Sequence, residues 1–220
     1  VVLTGVSIEM SKDGGKTFKA IDKENVHGDH HIVWMNASKD NHLIIGNDGG
    51  CNISYDDGQH WFKANTPAVG QFYAIAYDMA KPYNVYGGLQ DNGVWYANSK
   101  TKENVGWLDE GHNAYYRING GDGMQVQVDF RDNATVYSGS QFGYYGRRNT
   151  NKNIRDNAFI LPRNDLGEPA LRYNWQTPIL LSRHNQDVLY YGSNKLHRSL
   201  NRGDSLVALS DDLTTNPKQG

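Results

Sequence analysis

The fold is decided by His42-Leu-Ile-Ile-Gly-Asn-Asp-Gly-Gly-Cys-Asn-Ile-Ser-Tyr-Asp-Asp-Gly-Gln-His-Trp-Phe-Lys-Ala-Asn65. This stretch predicts three short strands separated by two tight turns. The first turn, Asn47 to Gly50, contains residues that tolerate the positive φ of a tight hairpin. The second turn, Ser54 to Trp61, places a hydroxyl, a carboxylate and a glycine at fixed offsets before a large aromatic ring. We expect that ring to anchor the returning strand.

The same offsets recur in two other octets. Ser11-Lys-Asp13-Gly-Gly15-Lys-Thr17-Phe18 lies 43 residues earlier, and Ser199-Leu-Asn201-Arg-Gly203-Asp-Ser205-Leu206 is a weaker third copy. We call these three segments, 11–18, 54–61 and 199–206, the octet turns. Short hydroxyl and carboxylate side chains bond to nearby backbone N–H groups, and glycine accepts a left-handed conformation. We therefore expect structural roles for Ser11, Asp13, Gly15, Ser54, Asp56, Gly58, Trp61, Ser199, Asn201 and Gly203.

The octet turns belong to a larger repeat. Four segments each contain an apolar strand, a polar turn and a second strand that ends in glycine: 31–46, 73–87, 124–139 and 178–192. The terminal glycines are 41, 52 and 53 residues apart. This is the period of four-stranded propeller blades. The sequence therefore predicts an all-β fold, a β-propeller of four-stranded antiparallel blades with strands A (innermost) to D (outermost).

The repeat also predicts where the blades begin and end. We expect one incomplete propeller domain over 1–220, with a partial blade, four complete blades and a polar tail: 1–26, 27–65, 66–111, 112–174, 175–210 and 211–220. The third blade lacks an octet turn, with residues 99–107 in its place, and a polar insertion occupies 149–169 of the fourth. Because four blades and a partial one leave exposed strand edges, we expect the remaining blades to come from the same polypeptide or an associated chain.

Composition and charge restrict the partners. The chain has 24 Gly, 14 Tyr and 5 Trp against 6 Pro, as in a turn-rich β protein with aromatic packing. The mean hydropathy of −0.71 argues against membrane insertion. With 22 basic and 24 acidic residues and no basic block, nucleic acid is not an expected partner. The lone Cys51 has the pattern of a small buried strand residue.

Several motifs resemble known families. The octet turns resemble the BNR or Asp-box repeat, Ser-x-Asp-x-Gly-x-Thr-Trp. Further segments, in order along the chain, are similar to the bacterial secreted sortilin-type "glycosyl hydrolase-like" proteins: 27–31, 46–50, 70–73, 82–93 and 120–124. The resemblance implies a β-propeller that is secreted, extracellular or at the cell surface of a bacterium, within a longer polypeptide. It does not imply a reaction, because propellers with one fold perform many functions.

Propeller topology places the candidate site on one face. The A–B and C–D connections, which include the octet turns, emerge on one side of a blade, whereas the B–C and D–A connections emerge on the other. The second side collects the unusual polar residues. We predict that they line one opening, with catalytic candidates Asp122, Asp29 and Asp91, and ligand-binding candidates His27, His30, Asp48, Gln90, Gln71 and Tyr73.

Two functions fit these residues. A glycoside hydrolase needs two carboxyl groups, about 5–5.5 Å apart for retention or about 6.5–9.5 Å for inversion, and Asp122 with Asp29 or Asp91 is the expected pair. Aromatic residues near the same loops would stack sugar rings: Tyr73, Tyr115, Tyr116 and Phe142. Alternatively, the face binds a glycan or peptide without chemistry, and we favour this function slightly. A sialidase is disfavoured because that family uses three arginines and these loops offer only Arg117.

The acidic residues also have structural interpretations. Asp48, Asp91 and Asp122 all lie in turn sequences that favour aspartate. His27-Gly-Asp29-His30-His31 resembles a divalent-metal loop, but three ligands on one loop are a weak pattern, and alternation sends His30 and His31 to opposite faces. We therefore predict no metal and no cofactor.

Overall fold

The computed structural model describes residues 1–22, 25–64, 70–102, 115–151, 156–164 and 166–215. In these ranges the chain forms nineteen strands, and its one helical element is a single 3-10 turn at Gln141–Gly143. The strands form five antiparallel sheets, one with three strands and four with four, and each sheet uses strands that are consecutive in sequence. This is the blade architecture of a β-propeller and confirms the predicted fold class. Across the described ranges, no helix has the length and apolar character needed to cross a bilayer.

The chain divides into two compact units, 1–69 and 70–220. The first unit contains two blades. The first blade consists of β1 (Val2–Thr4), β2 (Ile8–Met10) and β3 (Lys19–Ala20). The second consists of β4 (His30–Met35), β5 (Leu43–Asn47), β6 (Gly50–Ser54) and β7 (Phe62–Ala64). Apolar side chains from both blades form a single core: Ile8, Met10, Ile21, Leu43 and Ile45.

The second unit contains three blades. The third blade of the chain is β8 (Phe72–Tyr77), β9 (Asn84–Leu89), β10 (Gly93–Asn98) and β11 (Tyr116–Asn119). The fourth is β12 (Val126–Val128), β13 (Thr135–Ser140), β14 (Tyr144–Asn149) and β15 (Ala158–Ile160). The fifth is β16 (Ile179–Leu181), β17 (Leu189–Gly192), β18 (Leu196–Ser199) and β19 (Val207–Ala208).

Strand β13 contributes to both cores of the second unit. Its side chains alternate between the two faces of the blade, so Val136 packs towards the third blade and Tyr137 towards the fifth. Both side chains are fully buried. The core between the third and fourth blades contains Tyr86, Val94, Ile118, Val126, Val128 and Val136. The core between the fourth and fifth contains Met124, Tyr137, Tyr145, Ile160, Ile179, Leu181, Leu189 and Tyr191.

Two outer strands lie where the sequence did not predict them. β11 pairs with β10 and so extends the third blade beyond the predicted boundary at 111. Tyr116 continues a row of rings that runs across three strands, with centroids 5.4 Å apart from Tyr86 to Tyr96 and again from Tyr96 to Tyr116. β15 lies within the predicted polar insertion 149–169. A strand forms there because Ile160 is buried in the core, and both Pro residues of the insertion come after it. Residues 103–114 lie outside the described ranges, so the predicted replacement of the octet turn there stays a prediction.

The start of the predicted polar tail packs against the fifth blade. The Leu213 N–H donates to the Asn194 carbonyl at 2.8 Å. The Arg172 guanidinium contacts Asp212 at 2.7 Å and the Thr214 hydroxyl at 2.6 Å. The Thr214 hydroxyl and N–H, with Arg172, hold the pKa of Asp212 well below its ordinary value. Residues 211–215 are therefore part of the folded structure.

The three octet turns share one set of hydrogen bonds. In chain order, the serine hydroxyl accepts a bond from the glycine N–H at 2.8, 2.9 and 2.8 Å. It also donates to the Asp or Asn Oδ1 at 2.8, 2.9 and 2.8 Å. That oxygen accepts the N–H four residues further on at 2.9, 2.9 and 3.0 Å. Asn201 therefore reproduces the bonds that Asp13 and Asp56 make.

A second repeated turn lies in the four segments 31–46, 73–87, 124–139 and 178–192, at residues for which the sequence predicted no structural role. Asn36, Asp78, Asp129 and Ser182 each follow an A strand, and their N–H groups donate to the carbonyl six residues later at 3.0, 3.2, 2.9 and 2.9 Å. Each side chain also accepts the N–H two residues later, at 2.8, 3.1, 2.9 and 3.3 Å. The side chains thus build an Asx- or Ser-type turn at the same point of four blades.

The octet-turn bonds lower the pKa of both carboxyl groups. The Thr17 hydroxyl, followed by the Thr17 N–H, holds the pKa of Asp13 well below its ordinary value of 3.8. The His60 N–H, followed by the His60 ring, lowers the pKa of Asp56 to about 2. A carboxyl whose pKa is lower in the folded than in the unfolded chain stabilises the fold above the unfolded pKa. That stabilisation is lost as the pH falls through the folded pKa.

Between about pH 5 and about pH 2, the melting temperature of the unmodified chain should fall as the pH falls. We expect a smaller fall for the double variant Asp13→Asn/Asp56→Asn. Asparagine takes up no proton in this range, and Asn201 shows that it supports the turn. Thermal unfolding followed by circular dichroism measures the difference. The exposed Asp40→Asn is the control and should leave the slope unchanged. Equal slopes for the double variant and the unmodified chain would contradict the expectation.

Candidate functional site

The B–C and D–A connections of the second unit form one continuous surface. We call it the loop surface: residues 70–71, 90–92, 120–125, 141–143, 171–178 and 193–195. Hydrogen bonds link successive loops of neighbouring blades. The Gly93 N–H donates to the Gly121 carbonyl at 2.9 Å, and the Phe142 N–H donates to the Trp175 carbonyl at 3.1 Å. The Asn194 N–H donates to the Arg172 carbonyl at 2.8 Å. The backbone thus fixes where the side chains of this surface lie.

Asp122 holds two of these loops together. Its side chain is buried, and its Oδ1 accepts the Asp91 N–H at 2.8 Å. Its own N–H donates to Gln141 Oε1 at 3.0 Å. Asp91 has a left-handed φ of 61°, a conformation that aspartate tolerates in turns. Two predicted catalytic residues therefore lie together, in an arrangement where the Asp122 carboxylate positions the Asp91 backbone.

The glycines beside Asp122 allow close backbone contact between the third blade and the following segment. A Cβ on Gly123 would collide with the Gly93 carbonyl oxygen, and a Cβ on Gly88 would collide with the Met124 carbonyl oxygen. The Gly123 N–H donates to the Leu89 carbonyl at 2.9 Å. Packing therefore explains Gly88 and Gly123, and turn conformation explains Gly121, whose φ is 72°.

Three aromatic side chains form a cluster on the loop surface, and we call Tyr73, Phe142 and Trp175 the aromatic cluster. The Trp175 Nε1–H donates to the Tyr73 hydroxyl at 3.3 Å. The rings of Phe142 and Trp175 meet edge to face, with centroids 5.2 Å apart and an interplanar angle of 86°. Phe142 is 48% exposed and Trp175 39% exposed. Two large rings therefore remain accessible at a surface fixed by hydrogen bonds.

Phe142 has a conformation that is rare for a bulky residue. Its φ is 59° and its ψ is 30°, in the left-handed region. Such a conformation costs on the order of 1–3 kcal/mol and is concentrated at functional sites. The following Gly143 has a φ of 78°, and a Cβ there would collide with the Tyr191 hydroxyl. The backbone strain presents the Phe142 ring to solvent rather than burying it.

A small pocket lies beside the aromatic cluster. Its volume is about 40 Å³, and it is lined by Tyr73, Ala74, Met124, Gln125 and Gln176. A cavity of this size admits one group as large as a hydroxyl or a water molecule, whereas a sugar ring needs much more room. A larger ligand would therefore lie across the exposed rings and place one substituent in the pocket.

The amide side chains of Gln71 and Gln90 bond to each other. Gln71 Nε2 donates to Gln90 Oε1 at 3.0 Å, and the Gln90 N–H donates to the Gln71 carbonyl at 3.0 Å. Both residues were predicted to bind a ligand, and both lie on the loop surface. Tyr116, in contrast, lies on the outermost strand of the third blade beside Tyr96, away from the aromatic cluster.

The other predicted site residues belong to the first unit. Asp29 has a left-handed φ of 57°, and its N–H donates to the Val6 carbonyl at 3.1 Å. Asp48 accepts a bond from His31 at 2.6 Å. The His27 side chain packs so closely on Gly49 that a Cβ at Gly49 would collide with it. The predicted catalytic pair of Asp29 and Asp122 involves residues of different units, and it stays a prediction.

His30 is buried, whereas His31 is exposed, as strand alternation requires. The Nε2 atom of His30 lies 3.7 Å from Asp22 Oδ2, which is too far for a hydrogen bond. His30 therefore lies inside the first unit rather than on an open surface, in contrast to its predicted ligand contact. Among the described residues, no three His, Cys, Asp or Glu side chains are grouped as a metal site would require.

Sequence reasoning missed Trp175 and Gln141. Trp175 lies at the predicted boundary between the fourth and fifth blades, where it was assigned to neither loop. The available signal was its position just before an A strand. Asp122 lies in the equivalent D–A connection one blade earlier. Gln141 lies in the connection between β13 and β14, and no local pattern indicates its role because its bond to the Asp122 N–H spans 19 residues.

The comparisons with known proteins show similarity of structure only. No protein-family model matches the chain, and no curated protein matches it. A structure of YCF48 bound to D1 peptide is 9% identical over 95% of this chain, with a TM-score of 0.42. An ancestral GH74 enzyme is 14% identical over 85%, with a TM-score of 0.46. The Niastella koreensis GH74 enzyme is 13% identical over 92%, with a TM-score of 0.42.

The chain spans 63% of the YCF48 chain and 25% and 34% of the two GH74 chains. The identities and TM-scores are too low to transfer a function, so the assignment of the fold rests on the strand pairing itself. The function has to be inferred from the loop surface.

Proposed function

We propose that this chain is part of a β-propeller that binds a glycan or a peptide on the loop surface of its second unit. The observation that carries the proposal is the aromatic cluster. The rings of Trp175 and of Phe142, whose backbone is strained, are exposed beside a small pocket. Concave surfaces with apolar rings and a few polar groups are the usual sites of ligand binding. From the family resemblance of the sequence, we also propose that the protein acts outside a bacterial cell or at its surface.

Binding without cleavage agrees best with the environment of Asp122. A hydrolase needs a carboxyl group that reaches the scissile bond. Asp122 as a residue is only 6% exposed, and its carboxylate accepts the Asp91 N–H, so its geometry supports the loops rather than a reaction. Hydrolysis by Asp122 with Asp29 or Asp91 stays a prediction.

We expect Trp175→Ala to weaken ligand binding roughly tenfold or more, because aromatic side chains that a ligand covers dominate such contacts. The probes are immobilised β-glucan, xylan, mannan and chitin, together with a library of random peptides, tested against the full chain. The control is Phe159→Ala, which removes an 89% exposed ring from the outer strand β15. The control should bind like the unmodified chain.

Two results would overturn the proposal. One is the absence of binding to every probe above the signal of an unrelated protein. The other is binding that Trp175→Ala leaves intact while the fold, measured by circular dichroism, is also intact.

A further inference from the structure

Several main-chain groups of the loop surface are already paired with one another. The N–H groups of Gly93, Gly123 and Phe142 bond to carbonyls of neighbouring loops, and the Met124 N–H bonds to the Gly139 carbonyl at 3.0 Å. A peptide in extended conformation is held mainly by main-chain hydrogen bonds to an open strand edge. These loops use the same groups to hold themselves together, which disfavours a peptide that binds as an added strand.

The charged side chains of the loop surface are also engaged. Arg172 pairs with Asp212 at 2.7 Å, and Lys195 pairs with Glu168 at 3.2 Å. Asp122 accepts the Asp91 N–H, and the Arg117 guanidinium lies 6.0 Å from the ring of Trp95, with its Nε bonded to the Asn119 carbonyl. A charged ligand would compete with these partners, and exposed ion pairs of this kind contribute little to stability.

The groups that remain are aromatic rings and side-chain amides. Gln176 is exposed and lines the pocket, and Gln125, which also lines it, accepts the Ile179 N–H with its Oε1. An amide both donates and accepts, so it matches a hydroxyl group, which does the same. A sugar ring presents an apolar face of C–H groups and an edge of hydroxyls, and it fits a surface of rings bordered by amides.

We propose that the ligand of this surface is an uncharged saccharide whose sugar rings pack against Phe142 and Trp175, one sugar against each, and whose hydroxyl enters the pocket lined by Gln125 and Gln176. This inference rests on the proposed function, because it names the class of ligand for the same surface. The Phe142 ring is the surface on which a sugar packs, and the left-handed conformation of its backbone, which costs strain energy, keeps the ring exposed there.

Calorimetric titration of the full chain tests the inference. The probes are the hexasaccharides of glucose, xylose and mannose, with oligogalacturonate as the charged saccharide and the random peptides as the third class. We expect binding to at least one neutral hexasaccharide, with an affinity that changes less than about twofold between about 50 and 500 mM NaCl, because no ion pair forms.

Two variants separate a binding role from a structural one. Phe142→Asn should weaken saccharide binding about tenfold and leave the melting temperature unchanged or higher, because asparagine adopts the left-handed conformation more readily. If Phe142 had only a structural role, Phe142→Asn would lower the melting temperature. That result would overturn the role of Phe142 as a surface for the ligand. Trp175→Phe should retain most of the affinity that Trp175→Ala loses, since it keeps a ring.

The outcomes distinguish this inference from the proposed function. Binding of peptides without saccharides, or binding of oligogalacturonate that weakens steeply with salt, overturns the inference and leaves the ligand-binding function standing. Failure of all three classes of probe overturns both.

Discussion

Replacing Gly123 by alanine is expected to lower the free energy of unfolding of the second unit by about 3 kcal/mol. The added Cβ would collide with the Gly93 carbonyl oxygen and the Gly88 Cα, and both atoms belong to the backbone. A side chain can rotate away from a new methyl group, but these strands are held by their ladder bonds. The third blade and the segment that carries Asp122 would have to move apart, and the core between the third and fourth blades would open.

Denaturant unfolding followed by tryptophan fluorescence measures the loss. Gly120→Ala is the matched control from the same segment, because a Cβ there approaches only the far end of the flexible Arg117 side chain. Its cost should stay below about 1 kcal/mol. If the two variants were equally destabilised, close backbone contact would not be the reason for Gly123.

Asp156→Ala is expected to cost about 3 kcal/mol, because it leaves a buried guanidinium without its main partner. The Arg147 side chain is 8% exposed, and its Nη2 lies 2.8 Å from Asp156 Oδ1. Its Nη1 bonds to Asp204 at 2.8 Å and to the Arg202 carbonyl at 2.7 Å. Asp156 thereby holds together a network that joins the fourth blade to the octet turn of the fifth.

The same unfolding measurement compares Asp156→Ala with a surface pair. Asp187→Ala removes a partner of Arg131, whose side chain is 50% exposed, and water replaces the lost contact, so the effect should be much smaller. The double variant Arg147→Met/Asp156→Ala also removes the guanidinium, which among the described residues keeps only Asp204 and the Arg202 carbonyl once Asp156 is lost, and should recover part of the stability. A double variant less stable than Asp156→Ala would show that the charge is not the cause.

The fold was predictable because its signals are local. Each octet turn closes its hydrogen bonds within four residues, so spacing alone indicates the hairpins. The periodic glycines then indicate the blades. The outer strand β11 was less predictable because it follows a long connection, and its pairing depends on Tyr116 lying beside Tyr96 rather than on a motif.

The candidate site was less predictable because its contacts join distant residues. The sequence predicts Asp122 as a catalytic candidate, but its bond to the Asp91 N–H spans 31 residues, and only packing of the blades brings the two together. Trp175 lies 102 residues from Tyr73, and no spacing rule connects them. The sequence thus indicated which loops share a side, whereas the contacts between their residues required the structure.

The turn after each A strand has a consequence for how the repeats diverge. Asn36, Asp78, Asp129 and Ser182 make the same backbone bond, and their three different side-chain types accept the same N–H two residues later. If selection acts on the hydrogen bond rather than on the residue, mutations that exchange Asn, Asp and Ser at this point are close to neutral. Blades that descend from one ancestor can then drift until their sequences no longer align, while every copy retains the same turn.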